Sequence, residues 1–70
     1  MHKNVTKKFG SHVKQLRKEK GISQEQLANA AGIERSYMGA IERGERNPTL
    51  YKLVQIAQAL KVTLPELFSF

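Results

Sequence analysis

The sequence predicts an all-α fold of five short helices, and three observations carry that prediction. Apolar residues recur at spacings of three and four along most of the chain. Two stretches, Ser23-x-x-Gln26 and Thr63-x-x-Glu66, match the capping box that opens a helix. Glycines at 21 and 32 stand where helices should stop. No alternating strand pattern competes with these signals.

In the first helix Val5, Phe9, Val13 and Leu16 form one apolar stripe, with Lys7, Lys8, Lys14, Lys18 and Lys20 mostly outside it, and Gly21 ends it. The second helix starts at the Ser23 cap and buries Leu27, Ala28 and Ala31. Gly32 then turns the chain through a left-handed backbone angle without steric cost. Glu34 to Arg43 makes the third helix. After the polar loop from Gly44 to Pro48, Thr49 caps a fourth helix with Leu50, Leu53, Ile56, Ala57 and Leu60 on one face. Thr63, Pro65 and Glu66 open a short fifth helix.

A chain of 70 residues makes one domain, spanning 1–70. Folding at this size hides only about 60% of the unfolded chain's surface, so the core is thin and a deep catalytic cleft is not expected. Twelve Lys and Arg against six acidic residues, all Glu, give a formal net charge of +6, which suits a polyanionic partner.

With no cysteine there is no disulfide, zinc-thiolate site or thiol nucleophile. His2 and His12 sit at different helical phases and are expected to be solvated, so no metal is expected. There is also no Asp, no G-x-S-x-G and no Gly-rich phosphate loop before a helix, so neither enzymatic activity nor a cofactor is expected. No apolar run approaches the ~20 residues that span a bilayer, the N-terminus lacks the apolar stretch of a signal peptide, and the cytoplasm is the expected location. Membrane-surface binding through the Lys-rich first helix is disfavoured because Phe9 is its only aromatic residue.

The stretch GIERSYMGAIERGERNP, from Gly32 to Pro48, holds the functional signal. On a helical wheel Met38 and Ile41 face inward, flanked by Tyr37. Arg35, Ser36, Gly39 and Arg43 face outward, and Ala40 lies at the border. Gly39 in mid-helix costs on the order of 1 kcal/mol relative to Ala, which close approach to another molecule would offset. Two short helices joined at a Gly-bearing turn, the second with Arg among small residues outside, have the shape that enters a DNA major groove.

From Gln24, the run Q-x-x-x-A-x-x-x-G, followed by Met38, Ile41 and Glu42, resembles the Cro/C1-type helix-turn-helix regulators of bacteria and phages. The resemblance spans about Phe9 to Phe68. Within the family, ERSYMGAIERGERNPTL is most similar to the controller proteins of restriction–modification systems. It implies a lambda-repressor-like fold with its helix-turn-helix unit at about 23–43, binding a palindromic operator in double-stranded DNA as a homodimer. Two departures are Met38, where Ile or Val is usual, and Glu34, where a short Asp, Ser or Thr usually caps the recognition helix.

The expected DNA-binding residues are Ser23, Gln24, Arg35, Ser36, Tyr37, Gly39, Ala40, Arg43, Arg46 and Asn47. The resemblance gives Gln24 a phosphate oxygen to hold. Arg35 is the choice for base readout, its fork matching guanine O6 and N7, and Ser36 bonds a base edge or a phosphate. Gly39 and Ala40 shape the groove fit, Ala40 against a thymine methyl. Tyr37 is open between a core flank and a phosphate or sugar contact, while Arg43, Arg46 and Asn47 are placed for phosphates. The resemblance further implies a structural ion pair, Arg17 with Glu42, and a dimer interface at Leu64, Leu67, Phe68 and Phe70. A competing reading makes the same fold an antitoxin-like module that holds a partner protein.

Overall fold

The structure, a computed structural model, describes the backbone of residues 2–70 and the side chains of residues 4–70. The expectation for the His2 side chain lies outside the described residues. Five helices follow in order: α1 (His2–Glu19), α2 (Gln24–Ala31), α3 (Arg35–Glu42), α4 (Leu50–Leu60) and α5 (Leu64–Leu67).

Local chemistry accounts for the helix boundaries. Ser23 Oγ accepts from the Gln26 N–H at 3.0 Å while the Gln26 side chain accepts from the Ser23 N–H at 2.7 Å, so α2 opens with a complete capping box. Thr63 and Glu66 repeat the motif at α5. Gly32, at φ 69°, closes α2. Lys61 closes α4 in the same left-handed region at φ 59°, a conformation that disfavours a side chain but is held by N–H bonds back to Ala57 and Gln58.

One core joins all five helices: Phe9 and Val13 of α1, Leu27, Ala28 and Ala31 of α2, Met38 and Ile41 of α3, Ile56, Ala57 and Leu60 of α4, and Leu67 of α5. Helix α1 packs on α3 and α2 on α4. The α1 crossing is set by glycine. A Cβ on Gly10 would lie 2.3 Å from the Ile41 carbonyl oxygen and 2.7 Å from that of Glu42, and one on Gly44 would lie 2.7 Å from Lys7 Cα. Without side chains there, the N-terminal half of α1 rests directly on the end of α3.

Four expectations need correction. Val5 is 54% exposed, because α1 extends past the edge of the core, and Leu50 is 70% exposed, because the packed face of α4 begins at Leu53. His12 is not simply solvated: its Nε2 is 2.9 Å from the Glu66 carbonyl oxygen and its ring lies 5.8 Å from that of Phe70. Leu67 is fully buried within its own protomer and is not available to a second copy. Helix α5 is a single turn, so its one inward-facing side chain must close the core. Leu64 packs half-buried beside it. Phe68 and Phe70 fold back onto Phe9, at ring distances of 5.9 and 6.2 Å, and stay about half exposed.

The α1–α3 contact is directly testable. Gly10→Ala gains up to ~1 kcal/mol of helix propensity but forces two backbones apart, an overpacking cost of ~1–3 kcal/mol or more. Urea unfolding is expected to show a net loss of stability. A midpoint at or above that of the parent protein would contradict backbone contact at this crossing.

Candidate nucleic-acid interface

Helices α2 and α3 meet across the Gly32-Ile33-Glu34 turn, a helix-turn-helix in which α3 turns Met38 and Ile41 into the core and leaves Arg35, Ser36 and Arg43 exposed. The exposed side is a shallow cleft lined by Gln24, Glu34, Arg35, Ser36, Gly39 and Arg43. Among the described residues Arg35 has no hydrogen-bond or ion-pair partner, so its guanidinium stands free at the start of α3. Arg43 makes only an exposed pair with Glu45, Nε to Oε1 at 3.1 Å, of the kind that contributes little and is readily exchanged.

Glu34 caps α3 despite its length. Its carboxylate accepts from the Tyr37 N–H at 3.3 Å and from the Ser36 hydroxyl. Both bonds favour the ionised form, so its pKa lies below the ordinary glutamate value, the Ser36 hydroxyl contributing most and the Tyr37 amide next. The Ser36 hydroxyl hydrogen is thereby engaged, which leaves its oxygen to accept.

Beneath the cleft lies a buried polar network. Arg17 Nε donates to Glu42 Oε2 at 2.8 Å and Nη2 to Oε1 at 3.2 Å, while Nη1 donates to the Ile22 carbonyl at 3.0 Å. Gln24 Nε2 adds a fourth bond, to Glu42 Oε1 at 3.0 Å. The Arg17 and Glu42 side chains are only 11% and 3% exposed, so this is a paired charge inside the protein that ties α1, α2 and α3 together.

This network changes the roles open to several residues. The Gln24 amide is turned inward onto Glu42, so the donors left open at the α2 terminus are the backbone N–H groups of Gln24 and Glu25, with Ser23 engaged in its capping box. Gly39 is buried beneath side chains of its own protein: a Cβ there would sit 3.2 Å from both Gln24 Oε1 and Arg43 Nη1. Its missing side chain therefore makes room for Gln24, a packing reason that no local pattern discloses. Ala40 is only 7% exposed, so its methyl is not offered to a groove, and its carbonyl accepts from the Glu45 N–H at 2.9 Å as α3 ends.

Of its two open roles Tyr37 takes the core flank. It packs against the core, and its ring carries two cations, Arg46 Cζ at 5.7 Å and Lys52 Nζ at 5.2 Å. Lys52 is not among the residues that the sequence pattern singles out; its one signal is a place in the first turn of α4, directly after a loop containing two arginines. Asn47 is exposed but lines a different, apolar groove with Val5, Phe68 and Phe70.

A family model described as helix-turn-helix matches residues 13–67. The chain belongs to the helix-turn-helix family. It is 46% identical over 63 residues to the control protein C.MunI of Mycoplasma sp, covering 89% of this chain and 85% of that protein. Its structure is similar to that of the restriction–modification controller protein C.AhdI from Aeromonas hydrophila, with a TM-score of 0.92 at 45% identity over 96% of this chain and 97% of that one. The controller protein C.Esp1396I, solved as a tetramer with its natural 35 base-pair operator, matches with a TM-score of 0.86 at 35% identity over 93% of this chain and 86% of that one. As a helix-turn-helix protein with these relatives, the chain is a DNA-binding transcriptional regulator. Among the described residues no helix is long and apolar enough to cross a membrane.

Two outcomes follow from the helix-turn-helix geometry. Glu42→Gln leaves Arg17 buried without a counter-charge and is expected to cost ~3–5 kcal/mol, read as a lowered thermal or urea midpoint. A variant that melts with the parent would show that the pair carries no structural load. Glu34 contributes through a depressed carboxyl, so its capping contribution is complete above the ordinary glutamate range and is lost as pH falls through its lower folded value. Carboxyl carbon titration by NMR is expected to place Glu34 below the ordinary glutamate value; titration at that value would refute the cap.

Proposed function

We propose that this helix-turn-helix protein is a controller-type regulator that binds a palindromic operator as a homodimer, one α3 entering each of two successive major grooves. Half-sites would lie ~34–36 Å apart, one turn of B-DNA. The observation that carries the reading is Arg35: exposed, unpartnered among the described residues, and mounted on a helix whose opposite face is locked in the core. Its planar guanidinium supplies bidentate recognition of guanine, with Ser36 beside it as a further contact.

Around that readout, the open N–H groups at the α2 terminus and the cations Arg43 and Arg46 supply phosphate contacts that set register without reading sequence. Asn47 sits next to them on the groove of Val5 and the terminal phenylalanines. Dimer formation draws support from the half-exposed Phe68 and Phe70 together with Leu64, and from C.Esp1396I, which assembles on its operator as a tetramer. Regulation follows from operator occupancy in the cytoplasm, by blocking or recruiting polymerase.

Selection from a random duplex pool at fixed moderate salt tests this reading, with the parent protein and Arg35→Ala run side by side. The parent is expected to enrich a palindrome, and the variant to lose one base preference in each half-site, worth ~1–3 kcal/mol. Failure of the parent to enrich any sequence would overturn the operator reading, and enrichment of a lone half-site would overturn the dimer.

A further inference from the structure

The geometry points to Glu34 as a specificity residue of the DNA-reading face. With Ser36 it forms an acceptor-only pair that selects a base carrying an exocyclic amino group, adenine N6 or cytosine N4, beside the guanine read by Arg35. Glu34, Arg35 and Ser36 are consecutive and exposed, and they line one shallow cleft at the start of α3. Glu34 Oε1 accepts from both the Ser36 hydroxyl and the Tyr37 N–H, so Oε2 carries no bond among the described residues. A hydroxyl has one hydrogen and two lone pairs, and an ionised carboxylate has no hydrogen to give. With the Ser36 hydrogen committed to Glu34, the two side chains offer only lone pairs outward.

Hydrogen bonds to an ionised acceptor are roughly twice as strong as those between neutral groups, so a base oxygen or nitrogen does not draw the Ser36 hydrogen away. The carboxyl stays ionised at neutral pH, because the Ser36 hydroxyl and the Tyr37 amide hold it below the ordinary glutamate value. In the major groove adenine and cytosine each present an amino donor, whereas thymine presents O4 and guanine presents O6 and N7, all acceptors. The lone pairs of Glu34 and Ser36 therefore find a partner on two bases and repulsion on the other two. Neighbouring residues divide the reading: Arg35, a pure donor, takes guanine, and the acceptors on either side of it take an amino group. This inference rests on the reading of α3 as the groove-entering helix.

Capping alone does not require a charge at this position, since Ser or Asn caps a helix as well as Asp does. A carboxylate on a DNA-facing surface repels the phosphates of every sequence, so it weakens binding overall. Its effect is discrimination, through the penalty it places on bases that have no hydrogen to donate to it.

The test is selection from a random duplex pool by the parent, Glu34→Gln and Ser36→Ala, each confirmed as folded by its melting curve. Glu34→Gln keeps the side-chain length and a carbonyl oxygen for the Tyr37 N–H, but puts an NH2 donor where the free oxygen was. The parent is expected to enrich adenine or cytosine roughly three- to tenfold over guanine and thymine next to the guanine that Arg35→Ala loses. Glu34→Gln is expected to abolish or invert that preference, to keep the guanine, and to bind a random-sequence duplex more tightly than the parent. Ser36→Ala is expected to weaken the preference without inverting it. Replacing the selected adenine by purine, or the selected cytosine by pyrimidin-2-one, removes the amino group alone, which identifies its source and is expected to weaken the parent but not Glu34→Gln. A preference unchanged in Glu34→Gln makes Glu34 a cap and nothing more, and overturns the inference, as does a parent indifferent to loss of the amino group. A guanine preference with no adenine or cytosine beside it refutes this inference and leaves the operator reading standing, whereas no enrichment at all by the parent overturns both.

Discussion

A buried carboxylate sets the strictest condition on this fold. With its side chain only 3% exposed, Glu42 cannot remain charged inside a thin core unless donors meet it at hydrogen-bonding distance, and Arg17 and Gln24 supply three bonds to its two oxygens. Arg17 in turn closes the α1–α2 turn through the Ile22 carbonyl. The net stabilisation from such a pair is modest, because desolvation offsets most of the attraction. Its consequence is positional: α1, α2 and α3 can sit in only one relative arrangement without leaving a charge unpaired.

That arrangement explains how so small a protein presents a defined surface. The same α3 that contributes Met38, Ile41 and Glu42 to the interior carries Arg35 outward one turn or two away. Gly10 and Gly44 permit α1 to lie against the end of α3 at backbone contact, so the helix is braced from behind as well as from α2. A guanidinium on a braced helix needs little further ordering to meet a base edge, which favours recognition by a rigid reader over one that folds on its target.

The chain closes on itself at its other end by a comparable economy. Leu67 plugs the core, His12 bonds the Glu66 carbonyl, and Phe68 and Phe70 lie against Phe9. The terminal phenylalanines are therefore both part of the protomer's packing and half-exposed surface. Any second copy that meets them covers residues already ordered, so association would add contact area without ordering a new segment.

The amino-acid sequence by itself determined what depends on neighbours within a turn or two. The capping boxes at Ser23 and Thr63, the left-handed turn at Gly32 and the inward faces of α2 and α4 are set by local hydrogen bonding, backbone sterics and periodicity, and each is legible in the order of residues alone. The family pattern likewise points to Arg17 with Glu42. Only the tertiary structure decided the rest, because it depends on residues far apart in the chain. The inward turn of Gln24, the burial of Gly39 and Ala40, the need for glycine at 10, the loss of Leu67 to the core and the meeting of Arg46 and Lys52 on Tyr37 each require two or three helices to be packed together. Distance in space, not spacing in sequence, sets whether two charges pair or a side chain fits.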